Sequence, residues 1–347
     1  MKKWFESTGM INALLMVSLW YFITSPAFSE NKKEVFYLEE TMKPLFIAVN
    51  DTYCFIGEKF AIFQYAVKDF KFIKKIGGKG QGPGEFQFIF DIRTTQQYLI
   101  VSSLNRVYIY SADGEYIAEK RTGAWSTRFD RADGQFLGEK SLIKNNMEYN
   151  TIELLNEDLS KNKELYGFKK KLQGSGSINP LTNDPYFAFI GKKILVSTRE
   201  DQILLFNNKG EKERELKLHL EKQPVSEEYK QQFFDSFKKK PRIKMIYDRI
   251  KSRIEMPDYF PAIKFILVDG SLIYLITNQE KDQKFLCLVL NVEGQELART
   301  WIPLPPPNVS YHPIAFYKGT CFYLKEDLDK EEWMMIKEPI LTMPDSK

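Results

Sequence analysis

The chain has 347 residues, of which 43% are apolar and 14% aromatic, and this composition excludes an intrinsically disordered protein. Its 50 Lys and Arg residues against 46 Asp and Glu leave a net charge of +4. A balance so close to neutral gives no reason to expect nucleic acid or anionic lipid as the main partner.

The first 29 residues have the pattern of a secretory signal peptide. Lys2 and Lys3 precede an apolar stretch over residues 11–24, and Ala27-Phe-Ser29 forms a small-x-small cleavage site. A stretch of about 14 residues is short of the roughly 20 that span a bilayer. We therefore expect cleavage after Ser29 and a periplasmic or secreted protein, with an uncleaved anchor as the alternative.

Turn signals follow apolar strand signals at a repeated distance along the rest of the chain. Successive marks are separated by 44, 45, 51 and 84 residues, at Phe70, Gly114, Leu159, Gly210 and Gly294. A four-stranded propeller blade needs roughly 40 to 50 residues. The spacing therefore predicts an all-β fold, a six-bladed β-propeller of four-stranded antiparallel blades over residues 34–340, whereas a β-sandwich or a solenoid would not repeat at this length.

The strand signals assign the blades in chain order. The first five begin at Leu45, at the glycine-rich phrase from Gly77, at Ser126, at Pro185 and at Pro261. The sixth shows three clear strands between Ile314 and Lys337. Because propellers often close with a strand from the other end of the chain, we expect Val35 to Leu38 to complete that last blade.

Residues 224–257 account for the long fourth interval and show helical spacing instead of alternation. Ser226 can cap a first helix with Tyr229, Phe233 and Phe237 on one face. The segment predicts a helical hairpin insert whose outer face is basic. A partner contact through that face is one interpretation and a solvated charged face is the other; the residues concerned are Lys238, Lys239, Lys240, Arg242 and Lys244.

A glycine-rich phrase precedes the second blade. It comprises Gly78, Gly80, Gly82, Pro83, Gly84, Glu85 and Phe86. With the strands and the Asp-Gly turn that follow, it resembles the secreted bacterial six-bladed β-propeller proteins related to NHL-repeat and TolB-like propellers. The Asp of the NHL pattern is replaced at Ser102-Ser103, so the resemblance does not imply a site built on it. We expect the phrase to link an outer strand to the next inner strand, with the Glu85 carboxylate accepting backbone N–H bonds.

Motifs for enzyme chemistry or a cofactor are not evident. The two histidines, His219 and His312, lack zinc-binding spacing, and there is no Gly-x-Ser-x-Gly elbow. An acidic tip near Asp327 is predicted to be solvated, and no metal or cofactor is expected. The three cysteines, Cys54, Cys287 and Cys321, are predicted to be buried free thiols, with a Cys287–Cys321 bridge as the alternative.

The mouth of the central channel is the remaining candidate site. Loops that enter the inner strands carry aromatic and charged residues, as ligand pockets do. The predicted lining is Arg93, Arg128, Asp130, Asp184, Tyr186, Asp258, Tyr259, Tyr311 and His312; the alternative is that these aromatics only pack between blades. Three functions follow: a non-catalytic module binding a small ligand, glycan or protein partner; a metal-assisted hydrolase, lactonase or lyase of propeller type; or an assembly module that uses the basic hairpin.

Overall fold

The computed structural model describes residues 33–123, 125–144, 147–170, 179–181, 184–198, 201–238, 247–249, 251–304 and 313–341. Within these ranges, 24 strands form six antiparallel four-stranded sheets. The blades are numbered one to six in chain order, from the sheet whose inner strand begins at Phe46 to the sheet whose inner strand begins at Ile314, and the strands are numbered β1 to β24.

The strands follow one another in a regular meander. Strand β1 (Glu34–Leu38) precedes blade one. Blades one to three contain β2 (Phe46–Val49), β3 (Tyr53–Gly57), β4 (Ile62–Ala66), β5 (Phe72–Ile76); β6 (Ile89–Thr94), β7 (Tyr98–Ser103), β8 (Arg106–Ser111), β9 (Tyr116–Arg121); and β10 (Trp125–Ala132), β11 (Gln135–Lys144), β12 (Met147–Leu155), β13 (Lys161–Lys170). Blades four to six contain β14 (Phe187–Ile190), β15 (Lys193–Ser197), β16 (Gln202–Asn207), β17 (Lys212–Lys217); β18 (Ile263–Asp269), β19 (Leu272–Lys281), β20 (Lys284–Asn291), β21 (Glu296–Pro303); and β22 (Ile314–Tyr317), β23 (Thr320–Asp327), β24 (Glu332–Pro339).

Blade six is completed by the strand that comes first in the chain. Its order is β22, β23, β24 and β1, and β1 pairs antiparallel with β24 from Glu34 opposite Lys337 to Leu38 opposite Trp333. The predicted closure of the ring is therefore confirmed. Because β1 pairs with β24, blade six has four strands, as the other five blades do.

Six apolar clusters hold the ring together, one at each contact between neighbouring blades. The second and third strands of a blade face a neighbour on both sides, so they are continuous apolar runs, such as Leu99-Ile100-Val101 in β7. The outermost strands are largely exposed, as in β17. A four-stranded sheet of this kind buries both of its faces only against the two neighbouring blades.

The marked turns all join the third strand of a blade to its fourth. Phe70, Gly114, Leu159, Gly210 and Gly294 each adopt a positive φ, between 52° and 82°. A Cβ on Gly114 would lie 2.6 Å from Ile76 Cδ1 of the preceding blade. The ring of Phe70 likewise lies 4.6 Å from that of Phe36, on the strand next to β24 of blade six. The repeated turn is thus a repeated contact between blades, and all five lie at one end of the ring.

The two ends of the ring differ in their connections, and we name them accordingly. The entry rim is the end where each inner strand begins, and it carries the long connections between blades. The turn rim is the opposite end, with the short turns after the first and third strands, such as residues 50–53 and 67–71 of blade one.

The insert between blades four and five lies at the entry rim. Its first helix, α1 (Glu227–Lys238), begins as predicted, with the N–H of Tyr229 donating to Ser226 Oγ at 3.1 Å. The N–H of Val225 donates to the carbonyl oxygen of Asp258, and the N–H of Phe260 donates to that of Gln223. These two hydrogen bonds close the base of the insert. Residues 247–249 are helical, Lys251–Arg253 forms a 3-10 turn, and the Phe234 ring of α1 lies 6.1 Å from that of Tyr247.

Three further sequence expectations concern the whole chain. Cys54, Cys287 and Cys321 are buried and free, so the bridge between the last two is not formed, although both lie in the cluster between blades five and six. Burial raises the pKa of all three thiols. Among the residues that the structure describes, no helix is long and apolar enough to cross a membrane. The predicted signal peptide lies outside those residues.

Candidate functional site: the central channel

The six inner strands enclose a channel with a volume of about 930 Å³. All six blades contribute residues to its wall, from β2, β6, β10, β14, β18 and β22. A volume in the range of roughly 300 to 1,000 Å³ is usual for ligand sites. The channel is chemically different at its two ends.

Among the residues that the structure describes, four half-buried aromatic side chains line the channel at the entry rim: Phe46, Phe90, Tyr186 and Phe265. We call these four residues the collar. Phe90 is the extra residue of a β-bulge between Ile89 and Asp91, and blade five has a bulge at the equivalent place before Phe265. Bulges redirect side chains at the ends of sheets. Local irregularity at the start of the inner strand thus accompanies the collar residues of blades two and five.

Arg93 and Asp130 tie three blades together below the collar. Arg93 of blade two donates to Asp91 Oδ2 at 3.0 Å and to the carbonyl oxygen of Phe187 in blade four at 2.7 Å, and its Nη1 lies 3.5 Å from Asp130 Oδ2. Asp130 of blade three accepts the N–H of Phe189 at 2.7 Å. The two side chains therefore serve as ties between inner strands as well as channel lining.

The charges of this cluster are largely buried, with the carboxylates of Asp91 and Asp130 against one guanidinium, that of Arg93. The Arg93 and Asp130 side chains are 14% and 9% exposed. Burial raises the pKa of Asp130, although Arg93 opposes the shift, and burial also raises the pKa of Tyr186 to about 12. For Arg93, burial favours a lower pKa, but Asp91 and Asp130 keep it above its ordinary value. Its guanidinium lies 5.3 Å from the centre of the Tyr186 ring.

Arg128 is held by a second polar group between blades three and four. Its Nη2 donates to Glu139 Oε2 at 3.1 Å and to the carbonyl oxygen of Pro185 at 3.2 Å. Glu139 is buried, and its other oxygen accepts the Asn150 amide at 2.7 Å. A buried carboxylate satisfied in this way fixes the guanidinium beside the collar.

The turn rim is polar and tied together across blades. Gln96 Nε2 donates to the Tyr317 hydroxyl at 2.7 Å, which joins blades two and six. Lys318 pairs with Asp51 of blade one, and its N–H donates to Asp269 of blade five. Burial raises the pKa of Asp269 to about 6. Polar contacts between turns thus brace the turn rim.

The structure brings four of the predicted site residues together: Arg93, Arg128, Asp130 and Tyr186 all line the channel. Three other predicted residues do not line it: Asp184 is exposed, and Asp258 and Tyr259 belong to the base of the insert, with the Tyr259 side chain 55% exposed. The reason is that these three residues lie in connections, before the inner strands β14 and β18 begin. Tyr311 and His312 lie outside the described residues.

Sequence reasoning missed the groups that orient these side chains and three of the four collar residues. Asp91 and Glu139 orient the two arginines, and Phe46, Phe90 and Phe265 join Tyr186 in the collar. The one available signal was the Asp91-x-Arg93 pair, which alternation places on one face of an inner strand.

The glycine-rich phrase folds around Phe86 at the entry rim. Phe86 is fully buried, with its ring 5.1 Å from that of Tyr108, and Gly77, φ 69°, passes so close that a Cβ would lie 2.3 Å from the Phe86 ring. As predicted, Glu85 accepts a backbone N–H within the loop, that of Gly82 at 2.8 Å. The loop is therefore a packed connection, and close approach to Phe86 requires glycine at position 77.

The described residues contain no group of three or more His, Cys, Asp or Glu side chains that could hold a metal ion. The side chain of Lys238 and residues Lys239, Lys240, Arg242 and Lys244 lie outside the described residues, so the basic contact face of the insert stays a prediction.

Comparisons with known proteins assign the chain to no family. No family model matches it, and no curated protein matches its sequence. Among solved structures, BamB from Moraxella catarrhalis is 9% identical, with 87% of this chain and 84% of that chain covered and a TM-score of 0.34. The WD40 domain of Neurospora crassa Pan2 is 8% identical, with 88% and 91% covered and a TM-score of 0.38. BBS1N in complex with ARL6DN is 12% identical, with 87% and 78% covered and a TM-score of 0.40. Similarity at this level carries no argument about function.

Proposed function

We propose that this protein is a non-catalytic binding propeller that takes a small ligand, a glycan or a segment of a protein partner at the entry-rim mouth of its channel. The observation that carries the proposal is the collar, four half-buried aromatic side chains above a fixed polar cluster. Aromatic faces supply contact area, and a few oriented polar groups supply specificity.

The polar cluster suits recognition better than proton transfer. Arg93 and Arg128 are both held by carboxylates, and Asp130 accepts two backbone N–H groups, those of Phe189 and Arg131. Groups held in this way keep their positions when a ligand enters, which lowers the ordering that binding requires.

We also propose that the chain belongs to the NHL-repeat and TolB-like propeller group and acts in the periplasm or outside the cell. The glycine-rich phrase supports the first part, and the leader pattern of residues 1–29 supports the second.

A thermal-shift screen of the purified protein against sugars, peptides, calcium and other metal ions tests the proposal. A ligand at about 100 times its Kd stabilises the folded state by roughly 2.7 kcal/mol, which raises the Tm by several degrees. The dependence on the collar is tested with Tyr186→Leu and Phe265→Leu, which keep apolar bulk but remove the ring faces. Tyr116→Leu on an outer strand is the matched control, since Tyr116 is 41% exposed.

We expect a hit to lose about fivefold in affinity in the collar variants and nothing in the control, because a stacked ring contributes roughly 1 kcal/mol. Equal affinity of the ligand for the collar variants and the unchanged protein would refute the channel mouth as the binding site. Stabilisation by calcium alone would favour the metal-assisted enzyme instead.

A further inference from the structure

A patch of three phenylalanines and two lysines adjoins the channel mouth on the entry rim. We define the Phe–Lys patch as Lys59, Phe60, Lys79, Phe88 and Phe90. The three rings are half-buried and the two lysines are exposed. The Phe88 ring lies 4.6 Å from Phe90 and 6.5 Å from Phe60. Because Phe90 also belongs to the collar, the patch runs from the rim into the channel.

Two connections and the start of an inner strand build the patch, so its composition is not the by-product of one strand. Lys59 and Phe60 lie in the turn between β3 and β4, Lys79 in the glycine-rich loop, and Phe88 and Phe90 at the start of the next inner strand. The N–H of Ile89 donates to the Lys59 carbonyl at 2.9 Å, and this bond fixes the turn against the strand.

The two ammonium groups lie on the ring faces. Lys59 Nζ is 4.9 Å from the centre of the Phe60 ring and 5.2 Å from that of Phe88, and Lys79 Nζ is 5.4 Å from that of Phe60. In the part of the chain that the structure describes, no carboxylate pairs with either lysine. The patch is therefore apolar and positively charged.

The acidic residues in the same connections, Glu58 and Glu85, direct carboxylate oxygens to backbone N–H groups. Glu58 Oε1 accepts the N–H groups of Met42 and Lys43 at 2.6 and 2.7 Å. Glu85 Oε2 accepts the Gly82 N–H.

We propose that the Phe–Lys patch docks an extended acidic peptide segment of a partner protein, with an apolar side chain entering the channel mouth. The proposal rests on the proposed function and names the partner class for the same mouth. Charge complementarity selects the occupant, since carboxylates would face Lys59 and Lys79. The spacing agrees: the Phe60 and Phe88 rings are 6.5 Å apart, and alternate residues of an extended chain are separated by about 6.6 Å.

The direct test measures fluorescence anisotropy of a fluorescein-labelled octapeptide with Phe at its fourth and sixth positions and Glu at the other six. One comparison peptide has Lys in place of Glu, and another has Ala in place of Phe. The protein is compared with its Lys59→Gln/Lys79→Gln variant. The matched control is Lys68→Gln/Lys192→Gln, which removes the same charge from exposed lysines of the turn rim.

We expect the acidic peptide with Phe to bind, and its Kd to rise about fivefold to tenfold in the Lys59→Gln/Lys79→Gln variant at low salt, with a weaker salt dependence. The control should bind as the unchanged protein does. Both lysines are exposed and join no ion pair in the described chain, so loss of the fold is not expected, and circular dichroism checks it.

Three results would overturn the proposal. The first is unchanged affinity of the acidic peptide for the Lys59→Gln/Lys79→Gln variant, and the second is equal binding of the peptide with Lys. The third is an equal loss of affinity in the control, Lys68→Gln/Lys192→Gln. Sedimentation with vesicles of phosphatidylcholine and one-third phosphatidylserine adds a fourth, because lysine-dependent binding to vesicles in place of the peptide would assign the patch to a membrane surface. Collar-dependent binding of another ligand would survive any of these results, so the failure of this proposal and of the proposed function are distinguishable.

Discussion

Replacement of Arg93 by Met tests whether the polar cluster in the channel holds the ring together. The side chain is almost fully buried, and it joins blade two to blade four through the Phe187 carbonyl and to blade three through Asp130. Met retains the apolar bulk of the arginine stem, so the change removes mainly the charge and its hydrogen bonds.

The size of the effect follows from the groups that remain. Removing one member of a buried ion pair typically destabilises a protein by about 3 to 5 kcal/mol, because the other charge is left without its partner. Asp130 would keep the N–H groups of Phe189 and Arg131, which compensate part of the loss. We therefore expect a loss of about 3 kcal/mol in the free energy of unfolding at pH 7.5.

The loss should depend on pH in a definite direction. Burial already raises the pKa of Asp130 in the folded protein, and without Arg93 the shift becomes larger. A carboxyl group whose pKa is higher in the folded state destabilises the fold as the pH rises from its unfolded value, near 4, through its folded value. The difference between the variant and the unchanged protein should therefore shrink on acidification from pH 7.5 to pH 5.

Urea unfolding at the two pH values measures both quantities. Arg299→Met is the control, because Arg299 pairs with Glu296 through two hydrogen bonds on an exposed outer strand, and its loss should leave the midpoint unchanged. A loss below 1 kcal/mol for Arg93→Met, or a loss that grows on acidification, would refute the account of the cluster as a buried charged network.

Three further predictions concern the closure and the two rims. Gly114→Ala should lower the free energy of unfolding by about 3 kcal/mol, since it adds a clash with blade one to the strain of a positive φ. Gly270→Ala should lower it by about 1 kcal/mol, because Gly270 has a φ of 57° but open space around it. Thermal unfolding of the two variants separates the clash from the strain. Leu38→Ala in the closing strand should cost about 2 to 5 kcal/mol in urea unfolding, because the side chain is 1% exposed, and Leu328→Ala, 79% exposed, should change nothing; equal effects would contradict the closure. Asp269 has its pKa raised to about 6, so it should destabilise the fold as the pH rises from 4 to 7; Asp269→Asn should flatten stability over that range, and an unchanged slope would exclude this group.

Much of the fold was predictable because the repeated turn reports a repeated contact. Phe70 and Leu159 show how: neither is a glycine, yet both adopt a positive φ at the same place in the blade as Gly114. Their side chains pack into the clusters between blades, so the turn is retained by burial where glycine is absent. The spacing of the strands and the position of the turn therefore predicted the blade correctly even where the turn has no glycine.

The site was less predictable, since it depends on side chains from blades far apart in sequence. Arg93 meets Phe187, 94 residues later, and Gln96 meets Tyr317, 221 residues later. Alternation shows which face of a strand a residue occupies, but not which blade faces it across the channel. A β-bulge reverses even that assignment for Phe90, which strict alternation would not place in the collar.

The connectivity itself explains why the two rims carry different chemistry. Each fourth strand ends at the outside of the ring and the next inner strand begins at its centre, so the connection between blades must cross the whole entry rim. Those connections are long enough to include α1 and the glycine-rich loop. The turns of the other rim are short and packed on the preceding blade, since a Cβ on Gly114 would lie against Ile76, so they have little freedom to vary. Binding residues should therefore accumulate at the entry rim, and variants of the turn rim should change stability before they change affinity.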